Sequence, residues 1–258
     1  MLRNTFAHLP KLGFETETRL WESGAASWDH VLAEPKRFRY GTATRKSVVD
    51  GLHESQEKLD QGEHQYFAKG LGLKEAWRAF PEFRSKVAYV DIETDGGRSG
   101  DAITVVGLYD GENFEAFVRG DNLESFRDRI SCFSMIVTFF GSGFDVPMLQ
   151  KRFRDVKFDQ IHLDLCPTLR RLGFRGGLKS IEKQVGIARV EETEGLTGFD
   201  AIKLWNRYLR NRDEGALETL IAYNREDVVN LEFLAELAYK GLKEQVYDAA
   251  IARNAPIA

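Results

Sequence analysis

The chain has 258 residues, 43% of them hydrophobic and 29% charged, with a formal net charge of −4. That length suffices for one large domain or a moderate domain with a small companion. The acidic balance argues against a protein that coats nucleic acid through bulk charge, and the lack of any apolar run near the roughly 20 residues needed to cross a bilayer argues against a membrane span. Residues 1–82 read as a helical N-terminal domain. His8-Leu9-Pro10-Lys11-Leu12-Gly13 is a short turn between apolar helical segments, and Glu15 to Glu22 continues with Leu20 and Trp21 on a packing face. The helical pattern persists from Trp28 to Pro81, with Leu52, Leu59, Phe67, Leu71, Leu73 and Trp77 as expected core positions. Pro81 and the polar residues after it mark a boundary. Residues 83–242 then change texture: strands over Lys86–Ile92, Ala102–Tyr109 and Phe114–Val118, with Asp110-Gly111-Glu112-Asn113 as the turn between the last two, read as an antiparallel meander. A helix over Asn122–Ile130, a buried strand over Met135–Phe140, a helix over Asp145–Phe153 and a short strand over Ile161–Leu165 follow. Helices over Leu178–Val185, Ala201–Tyr208 and Leu217–Tyr239 complete an α/β domain, a mixed sheet flanked by helices. Residues 243–258 form an Ala-rich helical tail.

The stretch Val87-Ala88-Tyr89-Val90-Asp91-Ile92-Glu93-Thr94 organises the rest. Residues two apart on a strand share a face, so Asp91 and Glu93 can reach one ion while Ile92 points into the core. Paired carboxylates repel, and a divalent cation with oxygen ligands, magnesium or manganese, is the usual remedy. A solvated strand end running into Asp95-Gly96-Gly97 would leave the same pattern. Further on, a buried strand ends at Gly141-Ser142-Gly143-Phe144-Asp145, where Asp145 opens a helix and could serve simply as its N-cap. In Tyr223-Asn224-Arg225-Glu226-Asp227, Tyr223 and Asp227 lie four apart on one helix face. Glu226 is expected to face solvent. His162 and Asp164 share a strand face and are expected to make a structural hydrogen bond rather than a metal pair. Gly176-Gly177 ahead of Lys179 could cradle a phosphate at a helix N-terminus or act as a flexible connection. Basic clusters occur at Lys36-Arg37-Phe38-Arg39, at Lys151-Arg152-Phe153-Arg154, from Arg170 to Arg175, and at Arg207, Arg210 and Arg212; a solvated helix face would explain each. Cys132 and Cys166 have no metal-site spacing. With no apolar export core at Met1-Leu2-Arg3-Asn4-Thr5-Phe6, free thiols in a cytoplasmic protein are expected.

Taken in order, the strand with Asp-x-Glu, the strand-loop-helix with Phe-Asp and the late helix with Tyr-x-x-x-Asp resemble the tyrosine-containing branch of the DEDD exonuclease superfamily, built on the ribonuclease H-like fold. The resemblance covers roughly residues 85–242. Ile161-His162-Leu163-Asp164-Leu165 and Gly176-Gly177-Leu178-Lys179-Ser180-Ile181-Glu182 look most like the YprB-type group of bacterial nucleases. It implies that Asp91, Glu93, Asp145 and Asp227 hold two divalent cations, Mg2+ or Mn2+, and that Tyr223 orients the attacking water. Thr94 and Lys179 would contact substrate. Phe144 would fill the core, with a place beneath a base as the alternative. One departure is Phe140, where related sequences commonly carry asparagine; it bears on rate and end preference. The opening turn also resembles a helix-hairpin-helix motif, with Lys11 where that motif usually has glycine.

The expected function is a metal-dependent exonuclease acting on single-stranded DNA or RNA ends, 3′ to 5′ by the resemblance alone. A structure-selective endonuclease with the same acids and a non-catalytic nucleic-acid-binding scaffold are the alternatives.

Overall fold

The computed structural model describes residues 1–254, so the last four residues of the expected helical tail lie outside the described residues. The N-terminal region holds helices α1 (Phe14–Glu22), α2 (Trp28–Ala33), α3 (Arg45–Asp60), α4 (His64–Glu75) and α5 (Phe80–Phe83). No helix precedes the opening turn among the described residues, only a single 3-10 turn at Leu2–Asn4, so the expected helical hairpin is not made. The backbone groups there are taken by side chains instead: Trp21 and Trp28 indoles donate to the Asn4 and Thr5 carbonyls, both at 2.7 Å, and Glu17 accepts from the Phe6 and Ala7 amides. The buried Arg78 guanidinium ties this region together, pairing with Glu17 at 2.9 Å and Glu75 at 2.6 Å. Of the expected core residues, Leu52, Phe67, Leu71 and Trp77 are buried and Leu59 is half-buried, but Leu73 is 53% exposed. Gly72, at φ +59° and ψ −177°, breaks the helical path just before it. That is a conformation a side chain would resist, and it rotates Leu73 off the packing face.

The sheet contains β1 (Val87–Thr94), β2 (Ile103–Tyr109), β3 (Phe114–Val118), β4 (Met135–Thr138) and β5 (Ile161–Asp164), in the order β3-β2-β1-β4-β5. The first three strands form the expected antiparallel meander, while β4 and β5 add in parallel beside β1. Helices α6 (Phe126–Ile130), α7 (Asp145–Arg152), α8 (Leu165–Arg171), α9 (Leu178–Gln184), α10 (Gly198–Asn211), the 30-residue α11 (Glu214–Lys243) and α12 (Ala249–Asn254) follow and interleave with them. The faces of β1 divide cleanly. Ala88, Val90 and Ile92 pack with Phe126, Met148 and Leu149, whereas Val87 and Tyr89 pack with Leu231, Leu234 and Ala235 of α11. The row Val87-Tyr89-Asp91-Glu93 therefore looks onto α11, and its apolar members become carboxylates at the C-terminal end. The N-terminal helices do not keep a separate core: Phe6, Trp28, Phe67 and Trp77 belong to the same apolar cluster as Tyr89 and Leu231. No helix among the described residues is long and apolar enough to cross a membrane.

Candidate active site

Carboxylate oxygens of Asp91, Glu93 and Asp227 lie within 4.8 Å of one another. Strand β1 supplies the first two and α11 the third. Asp145, at the first turn of α7, is not in that set, although it is buried against the same strand, where its Oδ1 accepts the Ile92 amide at 3.1 Å. All four acids hold their protons more tightly than usual. Asp91 is raised well above its ordinary value, first by loss of solvent and then by the negative charges of Asp145, Asp227 and Glu93; Glu93 is raised likewise by burial and by Asp227 and Asp145. Burial pushes Asp145 up to about 7 and Asp227 up to about 6, in the latter case against the pull of Arg189. A set of oxygen donors crowded against mutual repulsion suits a hard divalent cation, and the residues present fit that role.

Two of the acids, Asp91 and Asp227, are held by other side chains. Buried Asn224 donates its amide to Asp91 Oδ2 at 3.0 Å, and the other end of that amide, Oδ1, has no partner among the described residues. Asn224 fits against the sheet because β2 carries Gly107 opposite: a Cβ there would lie 1.9 Å from Asn224 Oδ1. Arg189, in the loop after α9, binds Asp227 and grips Glu182 through two nitrogens at 2.7 and 2.8 Å. Glu226 is not a free solvent-facing acid. It accepts from the Val190 amide at 2.8 Å and from the Thr193 hydroxyl, and so fastens this loop to α11.

Tyr223 lies one turn before Asp227 on the same face of α11, with Lys179 Nζ donating to its hydroxyl at 2.9 Å and standing 4.2 Å from the ring centre. Lys179 also donates to the Leu196 carbonyl. Burial first, and the charges of Asp227, Glu93 and Asp91 next, raise the phenol above its ordinary range, so it stays protonated at neutral pH. Burial lowers the Lys179 ammonium. These groups line a cleft of about 360 Å³ that also takes in Phe139, Gly177, Ser180, Thr197 and Gly198. Thr94 ends β1, where the register with β2 shifts, and its hydroxyl accepts from Gly96 N at 3.4 Å.

Asp164 and His162 prove structural. Asp164 accepts the Phe140 amide at 2.8 Å and the Ser142 amide at 3.0 Å while capping α8 through Cys166 N, and His162 Nε2 meets Thr138 Oγ1 at 2.8 Å. They shape the loop between β4 and α7. In that loop Phe140 adopts φ +66° and is 54% exposed, a left-handed conformation that asparagine tolerates and a bulky side chain resists. Phe144, expected in the core, is 39% exposed and sits just before the first turn of α7, outside the helix. Phe199, opening α10 beside Gly198 of the cleft, is 66% exposed.

A family model described as RNase_H superfamily matches residues 88–239. Among solved structures, a family B DNA polymerase from the hyperthermophilic archaeon Pyrobaculum calidifontis is similar over 65% of this chain and 26% of its own, with a TM-score of 0.52 and 18% sequence identity. The present chain thus spans about a quarter of that polymerase, and the likeness is one of fold. No curated protein matches the sequence.

Proposed function

The chain belongs to the RNase_H superfamily, and from that premise we propose that it is a divalent-metal-dependent exonuclease of the DEDD type, with tyrosine in the third motif, removing nucleotides from single-stranded ends in the 3′ to 5′ direction. The observation that carries this reading is the convergence of Asp91, Glu93 and Asp227 within 4.8 Å, beside a protonated tyrosine, in an open cleft. Asp91, Glu93, Asp145 and Asp227 would hold the cations. When bound, Mg2+ or Mn2+ supplies Lewis-acid stabilisation of the charge developing on the phosphoryl oxygens and makes water a better nucleophile at neutral pH.

The remaining parts follow from this chain's own side chains. Tyr223 accepts from Lys179, which leaves its O–H free to donate to water or to a phosphate oxygen and so to aim the attack. A phenol whose proton is held so firmly is a positioner, not a base. Lys179 places a positive charge at the cleft wall for the phosphate. Asn224, the Ile92 amide and Arg189 fix the carboxylates they touch, so the ligand set is ordered before substrate arrives. Exposed Phe140 and Phe199, each next in sequence to a residue that lines the cleft, and Phe144 of the loop that follows β4 offer faces on which unpaired bases can stack.

The test uses single-stranded DNA and RNA labelled at either end, with magnesium, manganese or chelator, beside Asp91→Ala and Tyr223→Phe proteins. Metal-dependent shortening from the 3′ end that Asp91→Ala abolishes and Tyr223→Phe slows by about 100-fold is the expected result. Cleavage of circular single strands would replace the exonuclease with an endonuclease, and an absence of cleavage with every metal would remove the enzymatic reading.

A further inference from the structure

The N-terminal helices have no part in the cleft, yet a run of cations leads from one to the other. Arg175 stands at the cleft's edge, its carbonyl accepting from Ser180 Oγ at 3.5 Å, and its guanidinium reaches back to the Arg170 carbonyl at 2.9 Å. The residue after Arg170, Arg171, donates to the Lys74 carbonyl at 2.8 Å. Lys74 Nζ lies 5.5 Å from the ring centre of Phe14, the first residue of α1. In the turn just before Phe14, Lys11 holds φ +66° and its carbonyl accepts from Thr42 Oγ1 at 3.4 Å. Thr42 belongs to the loop between α2 and α3, which feeds directly into Arg45 and Lys46.

That loop is no solvated helix face. Phe38 and Tyr40 are buried, and the Tyr40 hydroxyl bonds the Pro35 carbonyl at 2.7 Å, so Arg39 between them is turned outward beside a groove of about 700 Å³. From Pro35 to Val49 the chain carries five cations and no carboxylate, inside a protein whose net charge is −4. Lys11, Arg39, Arg45, Lys74, Arg170 and Arg175 are exposed and without an ion pair among the described residues, whereas neighbouring Arg19, Arg37 and Arg171 pair with Glu15, Glu34 and Glu75. Unpaired cations joined by this succession of contacts, with 47% of a phenylalanine exposed among them, have the chemistry of a single-strand track: phosphates on the cations, a base on the ring.

We propose that this track is the path of the single-stranded nucleic acid behind the end held in the cleft, so that the N-terminal helices grip the strand while the sheet domain cuts it. The proposal rests on the nuclease reading for its direction, and binding tests it without cleavage. Asp91→Asn protein in chelator is titrated with fluorescent single strands of about 20 and roughly four nucleotides, across a range of salt. Arg39→Glu with Arg45→Glu is expected to weaken the long strand by about tenfold or more and to reduce the salt slope by about 0.7 for each phosphate no longer neutralised, leaving the short strand unchanged. Phe14→Ala is expected to cost about tenfold on the long strand with no change in slope. Long-strand affinity equal to that of the parent protein, or equal losses on both lengths, would each overturn it. If the wild-type chain cuts nothing with any metal while Arg39 and Arg45 still govern long-strand binding, the nuclease reading fails and the track stands. If cutting is normal and the variants bind as the parent does, the reverse holds.

Discussion

Neutralising one buried acid should stabilise the protein when metal is withheld and weaken its response when metal is present. Asp145 is the cleanest place to do it, since an asparagine there keeps an oxygen for the Ile92 amide. Its carboxyl titrates near 7 in the folded chain against an ordinary 3.8, so between those values the folded protein binds a proton that the unfolded chain has lost. Stability of the metal-free protein therefore falls as pH rises through that window, and above it the ionised group costs on the order of 4 kcal/mol. That is a large share of the roughly 5–15 kcal/mol that holds a domain together. Buried His8 works in the other direction: burial lowers it from 6.5 to about 3, so its contribution improves as pH rises to its unfolded value. The informative quantity is thus the difference between wild type and Asp145→Asn, by urea unfolding in chelator at pH 5 and pH 8. The variant's advantage should be about 1–2 kcal/mol at the lower pH and grow to about 4 kcal/mol at the higher. Adding manganese at pH 8 should stabilise the wild type far more, because cation binding needs the acids deprotonated. An advantage that is flat with pH, or a wild type that gains nothing from manganese, would refute the argument that these carboxylates are strained in wait for a cation.

Three other substitutions test the supports of the site. Phe140→Asn should raise stability by about 1 kcal/mol by relieving the left-handed backbone at an exposed position; no gain in the urea midpoint would count against strain there. Gly107→Ala puts a methyl group where Asn224 now lies, which should cost about 1–3 kcal/mol and weaken manganese binding in calorimetric titration, because Asp91 loses its holder. Arg78→Met leaves Glu17 and Glu75 buried without their shared partner and should cost about 3–5 kcal/mol, measured by denaturant unfolding; a loss below about 1 kcal/mol would mean the two acids find other company.

Where the sequence was legible, a short-range rule sufficed. The alternation of Val87, Tyr89, Asp91 and Glu93 against Ala88, Val90 and Ile92 places the acids on one face with no knowledge of what that face meets, and the turn at Asp110-Gly111-Glu112-Asn113 joins two strands that pair as expected. Misreadings arose where a local signal was overruled by something distant or by one backbone angle. Leu73 fits a helical stripe, but Gly72 leaves the helix before reaching it. The opening segment looks helical, but its carbonyls are claimed by the indoles of Trp21 and Trp28, and those bonds span 17 and 23 residues. Phe144 reads as core because it follows a buried strand, yet the loop at Phe140 and Gly143 turns the chain before it gets there.

The holders of the acids show a different limit. A buried carboxylate must have a donor or a cation near it, so finding Asp91 and Asp227 in apolar stretches already demanded partners for both. It did not name them: Arg189 reaches Asp227 across 38 residues, from a loop with no periodicity to read. For Asp91 a signal did exist. Asn224 lies on the buried side of α11 between Leu220 and Val228, and an amide set among apolar neighbours on a core-facing row has to bond to something across the interface. Gly107, in the middle of the apolar strand β2, is the matching sign that another group comes close. Read together, a polar residue where a leucine would serve and a glycine where a valine would serve mark the point at which the helix and the sheet meet through the site rather than through the core.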